Sequence, residues 1–304
     1  MAIRSRSISF GKRSFVLKGI ILAGGSATRL RPASFAVSKQ LMPVYDKPLI
    51  YYPLTTLMLS GIREILVIST PRDLPQYREL FGHSDEWGIK MTFAEQPNPG
   101  GLAEALIIGE EFINKEPVCL ILGDNLFHGT GLGRSLQEGF SGEGARIAAY
   151  RVADPRAFGV VEFDKDGKVL SLVEKPENPK THWAVPGIYQ YDRTASERAR
   201  GLKRSPRGEL EITDLNKDYL SDGELKVRVF PRGTTWLDMG TPNSLLEAAE
   251  YIRVVQDRQG QLVGSPEEAA WSMGWISNDQ LKEVARKNGD TEYAKSLIRI
   301  VEEN

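Results

Sequence analysis

One cysteine and three histidines are all that these 304 residues offer as thiol or imidazole ligands. Cys119 lies within the apolar run Val118-Cys119-Leu120-Ile121-Leu122. It has no intramolecular partner for a disulfide, which fits a reducing, cytoplasmic compartment, and its setting is that of a core residue rather than a nucleophile. His83, His128 and His182 are scattered without ligand spacing, so no zinc site is expected. No apolar stretch approaches the about 18–20 residues a membrane span needs. Neither sign of charge prevails: 39 basic residues face 40 acidic ones, and no global field draws in nucleic acid or an anionic membrane. The phosphate-binding patterns G-x-x-x-x-G-K-[ST] and G-x-G-x-x-G are missing. There is no internal repeat and no low-complexity linker.

What is present starts at Lys18. The run Gly19–Ala23 reads as a strand buried on both faces. It breaks into Gly24-Gly25-Ser26-Ala27-Thr28, followed by the cations Arg29, Arg31 and Lys39. Backbone N–H groups exposed by a glycine turn, with fixed positive charges beyond, suit a polyanion such as phosphate. Ahead of this, residues 1–15 are rich in Arg and Ser and free of acids, loosely like a transit peptide. They are expected to be a disordered basic leader, or the product of a start site placed too far upstream, and are set aside.

Strand patterns at Gly19–Ala23, Glu64–Thr70, Lys90–Ala94, Val118–Leu122 and Arg146–Val152 alternate with helical ones near Pro53–Leu59, Leu74–Phe81, Leu102–Ile113 and Leu132–Phe140. That alternation predicts an α/β fold with a parallel sheet covered by helices on both faces. Ligands in such sheets bind beyond the carboxyl ends of strands. Three loops meet that condition: the glycine turn, 96–101 and 123–125. After Asp154 the style changes. Gly159–Phe163 and Lys168–Val173 flank a D-G hairpin turn, Glu209–Leu220 reads as a helix opened by Arg207-Gly208-Glu209, and Leu225–Phe230 as a strand. Thr241 and Pro242 cap a helix with Leu245, Ala248, Ala249, Ile252 and Val255 as its buried stripe. An amphipathic helical tail runs from Pro266.

Asp124, at the end of a strand facing the glycine turn, is a candidate ligand for Mg²⁺ or an ordinary turn residue. Asp238 is a second candidate or a helix-entry acid, and together they carry more than either alone. Lys175, fixed by the following proline, reads as an anion ligand or an exposed lysine. Glu174 beside it could accept from substrate hydroxyls, and Arg207 reads as an anion ligand or a polar helix-entry residue.

Taken together, L-A-G-G-S-A-T-R-L (22–30), S-K-Q-L-M-P-V-Y-D-K-P (38–48), Q-P-N-P-G-G-L-A (96–103), L-G-D-N (122–125), F-G-V-V-E-F-D (158–164), E-K-P (174–176), G-E-L-E-I-T-D (208–214) and W-L-D-M-G-T (236–241) resemble the sugar-nucleotidylyltransferases. Y-Y-P-L at 51–54 with G-E-L-E-I-T-D marks the thymidylyl branch. The likeness runs from about residue 18 to about residue 302. It implies a three-layer α/β/α sandwich with a mostly parallel, Rossmann-like sheet. A nucleotide half spans about residues 16–155, a sugar-phosphate half about 156–242 and a C-terminal helical segment 243–304.

The implied reaction joins glucose 1-phosphate to dTTP, with Mg²⁺, giving dTDP-glucose and pyrophosphate. By the same resemblance Gly24, Gly25, Ser26 and Thr28 lie against the nucleotide, and Arg29 and Lys39 hold its triphosphate. Gln40 touches the nucleoside, while Gln96 and the Gly101 backbone read the thymine. Asp124 and Asp238 hold the metal, Gly159, Glu174 and Val185 contact glucose, and Lys175 and Arg207 its phosphate. A homotetramer is implied, with a regulatory site near Arg258 and Gln259. The alternatives are a preference for UTP or another sugar phosphate, and a non-catalytic homologue that only binds nucleotide sugar. The chain departs from the usual pattern at Ala27 (usually Gly), Gly100 (Asp), Glu104 (Gln), Pro186 (Thr) and Met239 (Thr).

Overall fold

A strand that alternates apolar side chains to both faces must be covered on both, and Lys18–Leu22 is such a strand. Ile21 joins a cluster with Leu54, Leu57, Phe127 and Leu297, while Ile20 and Leu22 join another with Leu66, Leu106, Leu215 and Tyr219. Each fully buried side chain of this size contributes about 1.5–3 kcal/mol by leaving water. The structure, a computed structural model, describes residues 15–303. The expected leader lies outside the described residues except for Phe15, whose ring packs edge-on against Phe140 at 6.0 Å between centroids.

The central sheet has ten strands. Its order is Val169–Glu174, Gly159–Phe163, Trp183–Val185, Ala145–Arg151, Ile188–Tyr191, Val118–Leu122, Lys18–Leu22, Glu64–Ser69 and Lys90–Glu95. The tenth, Leu225–Val229, pairs in parallel with Ala145–Arg151 off that path. Lys18–Leu22 runs parallel to both of its neighbours, Glu64–Ser69 and Val118–Leu122. The chain therefore builds outward on one side of this strand and then returns to its other side, the topological switch where open α/β sheets bind ligands. Apart from Leu225–Val229, the later strands join antiparallel, through Ile188–Tyr191 against Val118–Leu122 and the hairpin of Gly159–Phe163 with Val169–Glu174.

The strand Asn125–His128 is an addition to the sequence expectation, the helix expected over 132–140 ends at Gln137, and three further helices differ from expectation. The helix expected over 102–113 is two short ones, Glu104–Ile108 and Glu110–Ile113. They break at Gly109, where a Cβ would stand 2.8 Å from Ile20 Cδ1. The helix expected over 209–220 spans Ile212–Ser221. Leu210 is held out of it by a two-way backbone bridge: its N–H donates to Gly100 O (2.7 Å), and its carbonyl accepts from Ala103 N (3.1 Å). On the helix Pro242–Gln259, only Ala248 and Ile252 are fully buried; Leu245, Ala249 and Val255 are half-buried around them. Its N-terminus closes in the expected manner. Thr241 and Ser244 form a reciprocal capping box, a device contributing on the order of 1 kcal/mol.

The tail folds into Pro266–Ser272, Asn278–Lys287 and Glu292–Glu303. It packs onto the same cluster as the first strand through Ala269, Leu281, Leu297 and Val301. Among the described residues no helix is long and apolar enough to cross a membrane.

Candidate active site

The first strand ends with Ala23 N donating to Ile68 O at 2.8 Å, and the chain then leaves the sheet. Gly25 takes φ +98°, and a side chain there would meet open space. Ala27 has φ 42° and ψ 43°, the left-handed region. The alanine that departs from the usual glycine thus adopts a glycine conformation, at about 1–2 kcal/mol. Two hydrogen bonds to its carbonyl hold it there, from Ser34 Oγ at 2.8 Å and Leu30 N at 3.0 Å. The short 3₁₀ turn Thr28–Leu30 follows and carries Arg29. Ser26, Thr28 and Arg29 are exposed.

The acids come from elsewhere in the chain and meet across a small second sheet. Asn125–His128 pairs antiparallel with Thr235–Asp238, with Asp238 opposite Asn125. Met239 N donates to Asp124 O at 3.1 Å. Asn125, 2 % exposed, ties the arrangement together. Its Oδ1 accepts from Trp236 Nε1 (2.6 Å) and Gly187 N (3.1 Å), and its Nδ2 donates to Asp124 Oδ1 (2.9 Å). Lys39 makes an ion pair with Asp124 in which both side chains are largely buried.

Burial first, and then the Asp124 carboxylate beside it, raise the Asp238 carboxyl above the ordinary carboxylate range; Lys39, Arg29 and Lys175 oppose that shift. Two acids and three cations therefore act on one small volume. Two carboxylates pressed together in a partly desolvated place favour a bound cation. Among the described residues no group of three or more His, Cys, Asp or Glu is placed to hold a metal. The donor set fits Mg²⁺, which takes one or two carboxylates and fills its octahedron with water and phosphate oxygens. Met239 is fully buried among Val44, Leu49, Tyr52 and Leu126, which gives an apolar residue a reason to stand beside Asp238.

Residues after 155 supply a second group of candidates. Gly159 pairs across the sheet with both Glu174 and Val185. A Cβ on Gly159 would come within 3.3 Å of Glu174 Oε2, 3.6 Å of Thr213 Oγ1 and 3.8 Å of Val185 Cβ, so the glycine keeps a concavity open between them. Thr213 Oγ1 donates to Glu174 Oε2 at 2.6 Å. Lys175 has φ 42°, a left-handed backbone fixed by its N–H donating to Phe158 O at 3.0 Å. Phe158 in turn packs on Trp236, with ring centroids 4.9 Å apart. Arg207 does not open a helix. It lies in the loop before one, with Nη2 2.8 Å from Glu211 Oε1. The structure gives no reason for Pro186.

Gln96 is 5 % exposed. With Gly25, Ser26, Arg31 and Asn98 it lines a cleft of about 310 Å³. Gln40, also buried, accepts from Ser38 Oγ at 2.9 Å and lies with Nε2 3.5 Å from Gly24 O. Gly101 has φ +102°, and a Cβ there would stand 2.3 Å from Leu210 O. Arg258 and Gln259 are exposed at the far end of the helix that begins at Pro242, about 24 Å along its axis from Pro242 at 1.5 Å per residue. They are not part of this constellation.

Sequence reasoning did not single out Asn125, Thr213 or Arg72, which also lines the cleft. Asn125 had a signal, as the last letter of L-G-D-N. Thr213 lies within G-E-L-E-I-T-D. Arg72 had none.

The family model described as Nucleotidyl transferase matches residues 18–254. A protein of Mycolicibacterium smegmatis named glucose-1-phosphate thymidylyltransferase is 52% identical over 286 residues, 94% of this chain and 99% of that one. A Neisseria meningitidis protein of the same name is 51% identical over 286 residues, again 94% and 99%. Among solved structures, a Bacillus anthracis protein described as a candidate glucose-1-phosphate thymidylyltransferase, in complex with a sucrose, superposes with a TM-score of 0.72. It shares 36% identity and covers 78% of this chain and 96% of its own. A UDP-glucose pyrophosphorylase complexed with UDP-glucose has a TM-score of 0.70 at 23% identity, covering 79% and 99%, a likeness of fold alone.

Proposed function

We propose, because the chain belongs to the nucleotidyl transferase family, that it transfers a thymidylyl group from dTTP to glucose 1-phosphate. The products are dTDP-glucose and pyrophosphate. A phosphate oxygen of the sugar phosphate attacks the α-phosphorus of dTTP. One P–O bond forms there as the bond to the β-phosphate oxygen breaks, and pyrophosphate leaves. No covalent intermediate on the protein is needed, and positioning with charge neutralisation supplies the catalysis. The observation that carries this reading is the convergence of Asp124, Asp238, Lys39, Arg29 and Lys175.

In this reading the turn from Gly24 to Thr28 lies against the nucleotide, Arg29 and Lys39 hold its triphosphate, and Gln40, Gln96 and Gly101 face the nucleoside. Lys175 and Arg207 neutralise the sugar phosphate, while Glu174, held by Thr213, accepts from glucose hydroxyls beside Gly159 and Val185. Asp124 and Asp238 hold Mg²⁺, which when bound would neutralise charge on the phosphates and brace their oxygens. Lys39, now paired with Asp124, would turn to phosphate when a divalent cation takes over that carboxylate. The same reading extends to a cytoplasmic homotetramer, which a solution mass measurement tests, with regulation through Arg258 and Gln259.

Pyrophosphate release decides the reaction. With Mg²⁺ and glucose 1-phosphate, dTTP should be used well above UTP. Release with UTP above dTTP would move the assignment to a uridylyltransferase, and binding of nucleotide sugar without release under any nucleotide would make it a binding homologue.

A further inference from the structure

The loop after Lys90–Glu95 differs from the family pattern at two places, and in the structure the two are one feature. A Cβ built on Gly100 would stand 1.9 Å from Glu104 Oε2 and 2.1 Å from Oε1. The Glu104 carboxylate therefore occupies space that any side chain at position 100 would take. From there Oε2 accepts from Gln96 Nε2 at 2.8 Å. The other oxygen accepts from Arg204 Nη2 at 3.0 Å, and Arg204 Nη1 donates to the carbonyls of Gly100 (3.2 Å) and Gly208 (2.7 Å).

This bears on which atom Gln96 presents to the cleft. An amide can turn either its oxygen or its nitrogen to a neighbour, but an ionised carboxylate only accepts. Glu104 must therefore face Nε2. Gln96 Nε2 also donates to Gly101 O at 3.2 Å, so a second acceptor enforces the same orientation. The amide oxygen is left over the glycine turn, 3.1 Å from where a Gly24 Cβ would stand. Gln96 and Gly25 both line the cleft.

We propose that Glu104 is a positioning residue that fixes the Gln96 amide with its oxygen toward the nucleoside, so that the cleft selects a base whose Watson–Crick edge carries a ring N–H. Thymine and uracil carry an N3–H donor there, whereas cytosine and adenine present a bare ring nitrogen to an acceptor. The methyl group of thymine is not read by this device. The proposal rests on the reading of this cleft as the nucleoside site.

Calorimetric titration with dTTP, UTP and dCTP tests it without depending on turnover. Two variants approach the device from opposite sides. Glu104→Gln keeps the shape but removes the obligate acceptor, leaving only the longer bond to Gly101 O to orient the Gln96 amide, and Gly100→Ala evicts the carboxylate without touching either charge. The backbone at Gly100 is outside the left-handed region, so alanine fits it. Each variant should lower the dTTP-to-dCTP affinity ratio by about tenfold, the upper range of one neutral hydrogen bond. The dTTP-to-UTP ratio and the KM for glucose 1-phosphate should stay as in the unaltered protein. Thermal melting accompanies both, because a purely structural role would lower Tm and leave the ratio alone. An unchanged dTTP-to-dCTP ratio in both variants overturns the proposal. Nucleotide binding with the expected ratio but no pyrophosphate release overturns the proposed reaction and leaves the role of Glu104 standing.

Discussion

The acid centre and the loop around Gln96 are built by different means. Asp124 and Asp238 are placed first by backbone, through the register of Asp238 opposite Asn125 and the Met239 N–H on the Asp124 carbonyl, and the Asn125 side chain then holds the Asp124 carboxylate. Gln96 is oriented by side chains, through a chain of Glu104 and Arg204 that reaches across more than a hundred residues. Substitutions that would unmake the first must break a sheet. Those that retune the second need only change one rotamer. The acids and cations proposed to hold phosphate and metal are all present, while two departures from the resembled pattern, Gly100 and Glu104, fall in the loop.

That contrast can be broken from the acid side first. Asp124→Asn should lower kcat by about a thousandfold or more, since it removes a charge that acts on the transferring phosphates. The fold should survive, and unchanged turnover in the pyrophosphate assay would remove Asp124 from the centre. Lys175→Ala comes next in size. It should raise the KM for glucose 1-phosphate by about ten- to a hundredfold, as expected for loss of a charge-assisted contact, and an unaltered KM would contradict its role. Thr213→Val frees Glu174 without removing it, so about a three- to tenfold rise in the same KM is expected. Equal effects of Thr213→Val and Lys175→Ala would erase the ranking between contact and support. The smallest effect is at Ala27. Glycine there relieves about 1–2 kcal/mol of left-handed strain but returns about 0.4–1 kcal/mol of unfolded-state entropy. Ala27→Gly should therefore raise Tm by about 2 °C with little change in kcat, and a fall in Tm would show that the turn prefers its alanine.

The same contrast explains what was legible in the sequence. The five strands expected before residue 155 fall within a residue of their observed ends, because apolar runs bounded by polar residues leave little freedom, whereas Asn125–His128 had no such run to announce it. The convergence of Asp124 and Asp238 was readable as motif letters, and the left-handed Ala27 as a departure from a glycine. The helix expected from Glu209 was misplaced because Leu210 satisfies its backbone against Gly100 and Ala103, a long-range pairing that local periodicity cannot anticipate. The Gly100–Glu104–Arg204 arrangement was hidden for the same reason. Glu104 and Arg204 are ordinary charged residues until the fold brings them together. Lys175 showed its proline but not its positive φ, which is set by Phe158 and Trp236 behind it.

The claim that Asp124 and Asp238 serve one centre is tested most directly by a double-substitution cycle on pyrophosphate release at saturating Mg²⁺, using Asp124→Asn, Asp238→Asn and the two combined. Residues that act as a unit are strongly non-additive, so the double variant should be about as slow as the slower single one. A double variant slowed by the product of the two single losses would contradict the account, because each acid would then be working alone.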